Sequence, residues 1–212
     1  MQLIQIFLGP VKFARAHVGG VLDFGSVYEG STITDITEGL DCTDLTVRAN
    51  FALRDASVAG PAKFSRADIK GDLKFEKSRF LDPESFASFL GAKVGHVANF
   101  EETVFKGPVD FDSFEVGLEL KAKKARFTYQ GTEKISNTGL TAIGLKVGTI
   151  ANFEDAEFEG PVNFSGADIG GIFNASGAKF TSQTTADFSG MEVGQLAQFT
   201  NENFTVQCFF PD

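Results

Sequence analysis

His17 and His96 are the chain's two histidines and Cys42 and Cys208 its two cysteines, so general-base, soft-metal and thiol chemistry has few places to reside. A nucleophile, a base and an orienting group must converge in a cleft, and a metal needs three or four such donors together. The two histidines stand far apart in the chain, and no Cys/His spacing of a zinc site occurs. Gly-rich phosphate loops of the GxGxxG or Walker type are also missing, and the 23 glycines are scattered at what read as backbone corners. The sequence therefore predicts no enzyme, no catalytic residues, no metal and no cofactor. Two cysteines do not make a disulfide framework, and the opening MQLIQIFLGP has no preceding positive charges, so a reduced, cytoplasmic setting without a signal peptide is expected. No run of 18 apolar residues supplies a membrane segment. Asp+Glu number 28 against 19 Lys+Arg, a net charge of −9 that argues against direct nucleic-acid binding. Charge is the remaining candidate chemistry, and what matters is the scaffold that arranges it.

That scaffold is legible in the composition. Phenylalanine occurs 24 times, tyrosine twice and tryptophan not at all, a skew typical of repetition. Aligning VKFARAHVGGV from Val11, AKFSRADIKGD from Ala62, VDFDSFEVGLE from Val109 and VNFSGADIGGI from Val162 gives an 11-residue unit with apolar residues at positions 1, 3, 6 and 8. Sixteen units follow, beginning at residues 11, 22, 38, 49, 62, 73, 87, 98, 109, 120, 140, 151, 162, 173, 186 and 197. In this frame position 3 is phenylalanine in twelve units, from Phe13, Phe24 and Phe51 through Phe199. Position 6 is small in most units, with alanine at Ala16, Ala56, Ala67, Ala92, Ala125, Ala156, Ala167 and Ala178. Position 8 alternates between an aliphatic series (Val18, Leu45, Ile69, Val94) and a phenylalanine series (Phe80, Phe105, Phe127, Phe158), so the full period is 22. Neither a 3.6-residue helical stripe nor a long alternating strand has this spacing. Short strands joined by corners do, and 22 residues wind once around a four-sided coil. The fold class expected is all-β, a single parallel β-helix domain over residues 1–212 with about eight coils.

Longer insertions are expected after every fourth unit, at 33–37, 84–86, 131–139 and 184–185, projecting from one shared corner as a ladder. A smaller one is expected within 52–57. The longest contains Gly131, Thr132, Glu133, Lys134, Ile135, Ser136 and Asn137, a polar segment suited to contacting a partner. In the same frame Cys42 sits at an outward position 5 and Cys208 at an inward position 1, His17 at an outward position 7 and His96 at an outward position 10. Open terminal coils expose unpaired strand edges, which implies either a homodimer through those coils or a piece of a longer repeat array.

The segments ANFEDAEF at 151–158 and AKFSRADI at 62–69 resemble the A-x-[L/F]-x-x pattern of pentapeptide-repeat proteins, over nearly the whole chain. Every second pentapeptide is stretched to six residues. The resemblance implies a right-handed quadrilateral β-helix. Some members of that family mimic DNA and inhibit or protect type II topoisomerases, and most have no known activity. Two functions are thus expected: a structural or protein-protein interaction scaffold with an unknown protein partner or, alternatively, a topoisomerase-directed DNA mimic. The mimic needs continuous negative charge. The candidate acidic column at position 7 contains Asp44, Asp68, Glu115, Asp168 and Glu192, but Lys93 and Lys146 interrupt it. Such alternation predicts ion pairing between adjacent rungs rather than mimicry of a duplex.

Overall fold

The structure is a computed structural model and describes residues 3–24, 32–129, 139–181 and 185–200, with side chains from residue 5 and, after the first break, from residue 34. Its regular elements are all β-strands, most of two residues. They stack into four parallel sheets of eight strands each, which the chain visits in the fixed order one, two, three, four before returning to the first. The opening circuit runs Leu3–Phe7, Val11–Lys12, His17–Val18 and Leu22–Asp23, each strand starting one sheet. Successive strands in one sheet are parallel and in register: Val11 pairs with Leu40, Leu40 with Ala62 and Ala62 with Ala87. This is a β-solenoid with a quadrilateral cross-section.

A local turn explains each corner between positions 3 and 6. The amide of position 6 donates to the carbonyl of position 3, as in Ala16 N to Phe13 O (2.9 Å) and Ala156 N to Phe153 O (3.0 Å). The residue at position 5 is left-handed, with φ 53–59° at Arg15, Asp44, Asp55, Arg66, Lys77, Glu102, Ser113, Lys124 and Asp155, the third-residue requirement of a type II turn. Glycine takes that position at Gly91, Gly144, Gly166, Gly177 and Gly190. Asn or Asp at position 2 closes the same corner from outside: Asn99, Asn152, Asn163 and Asn174 accept from the amide two residues on at 2.8–3.0 Å.

Side chains at positions 1, 3, 6 and 8 fill the interior. On sheet one Phe80, Phe105, Phe127, Phe158 and Phe180 form a continuous stack with ring centroids 4.8–5.3 Å apart and planes within 17° of parallel. Of the rings at position 3, Phe64 and Phe89 (4.7 Å, 13°) and Phe164 and Phe188 (5.5 Å, 1°) also stack, while others pack edge-on or tilted, as in Phe89 with Phe100 (5.2 Å, 85°). Polar position-6 residues are tolerated when the hydroxyl finds a carbonyl: buried Thr103 donates to Phe75 O at 2.7 Å, and Ser78 and Thr34 donate to Leu53 O and Phe24 O.

The structure corrects the repeat frame at two units. Leu40 and Phe51 occupy position 1, so these units begin at 40 and 51 and not at 38 and 49. No insertion then exists within 52–57, since Phe51 to Ala62 is one unbroken unit. Position 3 is held by Cys42 and Leu53, and Val47 replaces Leu45 in the aliphatic position-8 series. Residues 33–36 are not an insertion either. They belong to the strand Thr32–Ile36, which pairs with Leu3–Phe7, and the extra residues of that unit lie upstream, between Phe24 and Thr32. Residues 84–86 lie at the corner from sheet one to sheet two, between Phe80 and Ala87, where Asp82 Oδ1 accepts from Glu84 N at 2.9 Å, whereas 131–138 and 184 of the other expected insertions lie outside the described residues.

Candidate functional site

Among the described residues the interior positions are filled almost entirely by packed hydrocarbon, and the charged side chains lie on the four outer faces. Cys42 illustrates the division. It sits inward at position 3, is fully buried, and burial pushes its thiol far above the usual range, which makes it an inert small hydrophobe. The outward placement expected from sequence followed from the two-residue frame error. His96 remains outward and exposed, its Nδ1 3.8 Å from Asp72 Oδ1, and His17 is exposed on sheet three. Among the described residues no group of three His, Cys, Asp or Glu side chains is arranged to hold a metal ion. Nor, among the described residues, is any helix long and apolar enough to cross a membrane.

Sheet three carries the most regular charge pattern. Its outward position-7 column reads His17, Thr46, Asp68, Lys93, Glu115, Lys146, Asp168 and Glu192, each registered on the next. Asp68, Glu115, Asp168 and Glu192 stand where the sequence places them. Asp44 does not: Thr46 takes its rung, and Asp44 lies two residues earlier in the left-handed corner. There Arg66 donates to both its carboxylate oxygens, from Nε at 2.7 Å and Nη2 at 3.0 Å. These hydrogen bonds hold the Asp44 carboxyl below its usual range. The column is thus an alternation of signs. Lys93 Nζ meets Glu115 Oε2 at 2.9 Å on the next rung, and Lys70 Nζ meets Asp68 Oδ2 at 2.6 Å beside it.

Along one edge of this column runs a shallow groove of about 460 Å³, bordered by Gly95, Gly117, Gly148 and Gly170. Glycine is required there by the stacking of rungs: a Cβ on Gly117 would lie 2.1 Å from Gly95 O, and one on Gly148 2.0 Å from Gly117 O. Close backbone approach flattens this edge and leaves the charged column standing above it.

Other faces pair charges between rungs in the same manner. Lys123 Nζ reaches Glu154 Oε1 at 2.9 Å, and Glu157 bridges Arg126 Nε (2.8 Å) and Lys179 Nζ (2.9 Å) on the rungs either side. The Lys179 hydrogen bond, with Arg126 behind it, lowers the Glu157 carboxyl below its usual range. Burial acts oppositely on Glu76 and Asp110, whose carboxyls are raised by desolvation. Glu76 Oε1 accepts from Asn99 Nδ2 at 3.0 Å while its Oε2 is buried without a hydrogen-bond partner among the described residues.

The segment Gly131, Thr132, Glu133, Lys134, Ile135, Ser136 and Asn137 lies outside the described residues, as does Cys208. Sequence reasoning missed the groove and the Asn/Asp corner braces. The second had a visible signal, the recurrence of Asn or Asp at position 2; the first had none beyond glycine at position 9, because its shape arises from stacking. No protein-family description, curated protein or solved structure matches the chain in sequence or fold comparison.

Proposed function

We propose that this chain is a non-catalytic scaffold of the pentapeptide-repeat type, acting through protein-protein contacts made by its flat outer faces. The observation that carries the reading is the separation between a filled aromatic interior and ordered charges on the faces. A wall of two-residue strands cannot adjust its shape to close around a small substrate, whereas it holds a row of side chains at the fixed inter-rung spacing of roughly 4.8 Å. Such a row suits an extended protein surface.

Alternation of sign on sheet three favours this reading over a topoisomerase-directed DNA mimic, which calls for a continuous run of negative charge. Cross-linking mass spectrometry in cells that produce the protein tests it. The expected result is one protein cross-linked in near-stoichiometric yield to residues of a single face, and lost from a folded variant in which that face's charges are inverted. No enrichment over the inverted variant overturns the scaffold reading. Inhibition of purified gyrase supercoiling at stoichiometric protein replaces it with the mimic.

A further inference from the structure

The sheet-three column has a property that none of its local ion pairs requires: it is complementary to itself when reversed. Number its rungs one to eight from His17 to Glu192. A two-fold axis lying in the plane of the face and parallel to its strands, placed between rungs four and five, sets each rung against a rung of a second copy whose number makes the sum nine. Lys93 then faces Glu115, Asp68 faces Lys146, Thr46 faces Asp168, and His17 faces Glu192, with every facing made twice by symmetry. No like charges meet. Moving the axis by half a rung onto Glu115 sets Glu115 against itself, Lys93 against Lys146 and Asp68 against Asp168, so the pattern also specifies its register.

Shape repeats the same symmetry independently of charge. The half-turn sets the corner before the column (position 5) against the same corner of the other copy, and the corner after it (position 9) likewise. Bulky corner residues lie in the first half of the helix and glycines in the second. Arg66 therefore faces Gly144, Lys70 faces Gly148, Arg48 faces Gly170 and Arg15 faces Gly190; in each of the eight facings at least one residue is glycine. A Cβ on Gly144 or Gly166 would meet nothing within 4 Å, so the space opposite Arg66 and Asp44 is open. Arg48 and Arg15 are brought at the same time toward the acidic end of the other column, at Asp168 and Glu192. The central charges are available: Lys93 and Glu115 side chains are 60% and 45% exposed, and among the described residues Lys146 and Asp168 make no ion pair.

We infer that sheet three is a self-association face, on which a second copy of this chain docks antiparallel about a two-fold axis between Lys93 and Glu115. This rests on the reading of the faces as protein-contact surfaces. A face of this width falls at the small end of specific interfaces, so the dimer is a weak one, with Kd on the order of 10 to 100 µM, and is weakened by salt.

Sedimentation velocity at about 5 to 300 µM protein measures it, in about 50 mM and about 500 mM NaCl. Wild type is expected to dimerise with concentration, less so in high salt. Lys93→Glu alone and Glu115→Lys alone place like charges opposite each other twice, and each is expected to weaken association at least tenfold. An equimolar mixture of the two variants restores both central facings across the interface while leaving the 93/115 contact within each chain broken. Recovery of a mixed dimer therefore reports the interface and not rung stability, with circular dichroism confirming that both variants are folded. A monomeric wild type throughout, a dimer that survives both substitutions as the terminal coils would give, or a mixture that stays monomeric overturns the inference. A monomer leaves the scaffold reading intact, since that stands or falls on the cross-linking experiment.

Discussion

Replacing Phe105 by alanine tests the claim that stacked rings hold the rungs together. The ring is fully buried, is nearly parallel to Phe80 at 5.0 Å and to Phe127 at 5.3 Å, and touches Phe100 at a centroid distance of 6.0 Å. Phe→Ala in a core costs about 3 to 5 kcal/mol, and aromatic pairs add about 0.5 to 1.5 kcal/mol each beyond buried area. The rungs above and below are tied by backbone hydrogen bonds and cannot collapse into the hole, which puts this site at the upper end, about 4 to 5 kcal/mol. For 212 residues an unfolding entropy near 2.1 cal/mol/K per residue gives about 0.45 kcal/mol/K, so the midpoint should fall by about 10 °C. Phe13→Ala is the comparison: this ring is half-buried on the first circuit and should cost about half as much. Thermal and urea unfolding followed by circular dichroism measure both. A loss below about 2 kcal/mol at Phe105, or a cost no larger than at Phe13, refutes the argument that neighbouring rungs confer the stability.

Gly117→Ala is expected to cost at least about 2 kcal/mol, because its Cβ would sit 2.1 Å from a backbone oxygen, whereas Gly144→Ala meets open space and suffers only the strain of φ +63°, about 1 kcal/mol; urea midpoints should rank them so. Lys77→Gly should raise stability by about 0.5 kcal/mol, the relief of a left-handed side chain (φ 58°) outweighing the added freedom of the unfolded chain. Glu76→Gln should be more stable than wild type at pH 7, with the gap closing toward pH 4. The raised carboxyl of Glu76 favours folding while protonated and loses that contribution as pH rises through its folded value, so a variant less stable at pH 7 would contradict the sign.

Much of this architecture was readable in the chain because its causes are local. The type II corner needs a residue that tolerates positive φ and room at position 6, and the interior needs large apolar groups at positions 1, 3 and 8; all recur at 11 and 22 residues. The frame slipped where the cue was carried by an atypical residue. Leu40 and Phe51 look like position-3 residues, yet they pair with Val11 and Leu22 at position 1, leaving Cys42 inside and Asp44 off the column. The even spacing of Leu40, Phe51 and Ala62 was the available signal. Cys42 sits with Leu45 at position 6, as Ala142 sits with Leu145, so in these two units a small residue at position 3 accompanies a large one at position 6.

The amino-acid sequence by itself determined the period, the four-sided winding, the filled interior and the alternating signs at position 7, because each depends on residue type at a fixed distance along the chain. Only the tertiary structure decided which rung lies on which, where the extra residues leave the helix, and how the position-9 glycines open a groove beside Lys93 and Glu115. Those outcomes are set by hydrogen bonds and backbone approaches between residues 21 to 32 positions apart, such as Lys93 N to Ala67 O and Lys146 N to Phe114 O, and a repeat with insertions of unequal length does not announce them one unit at a time.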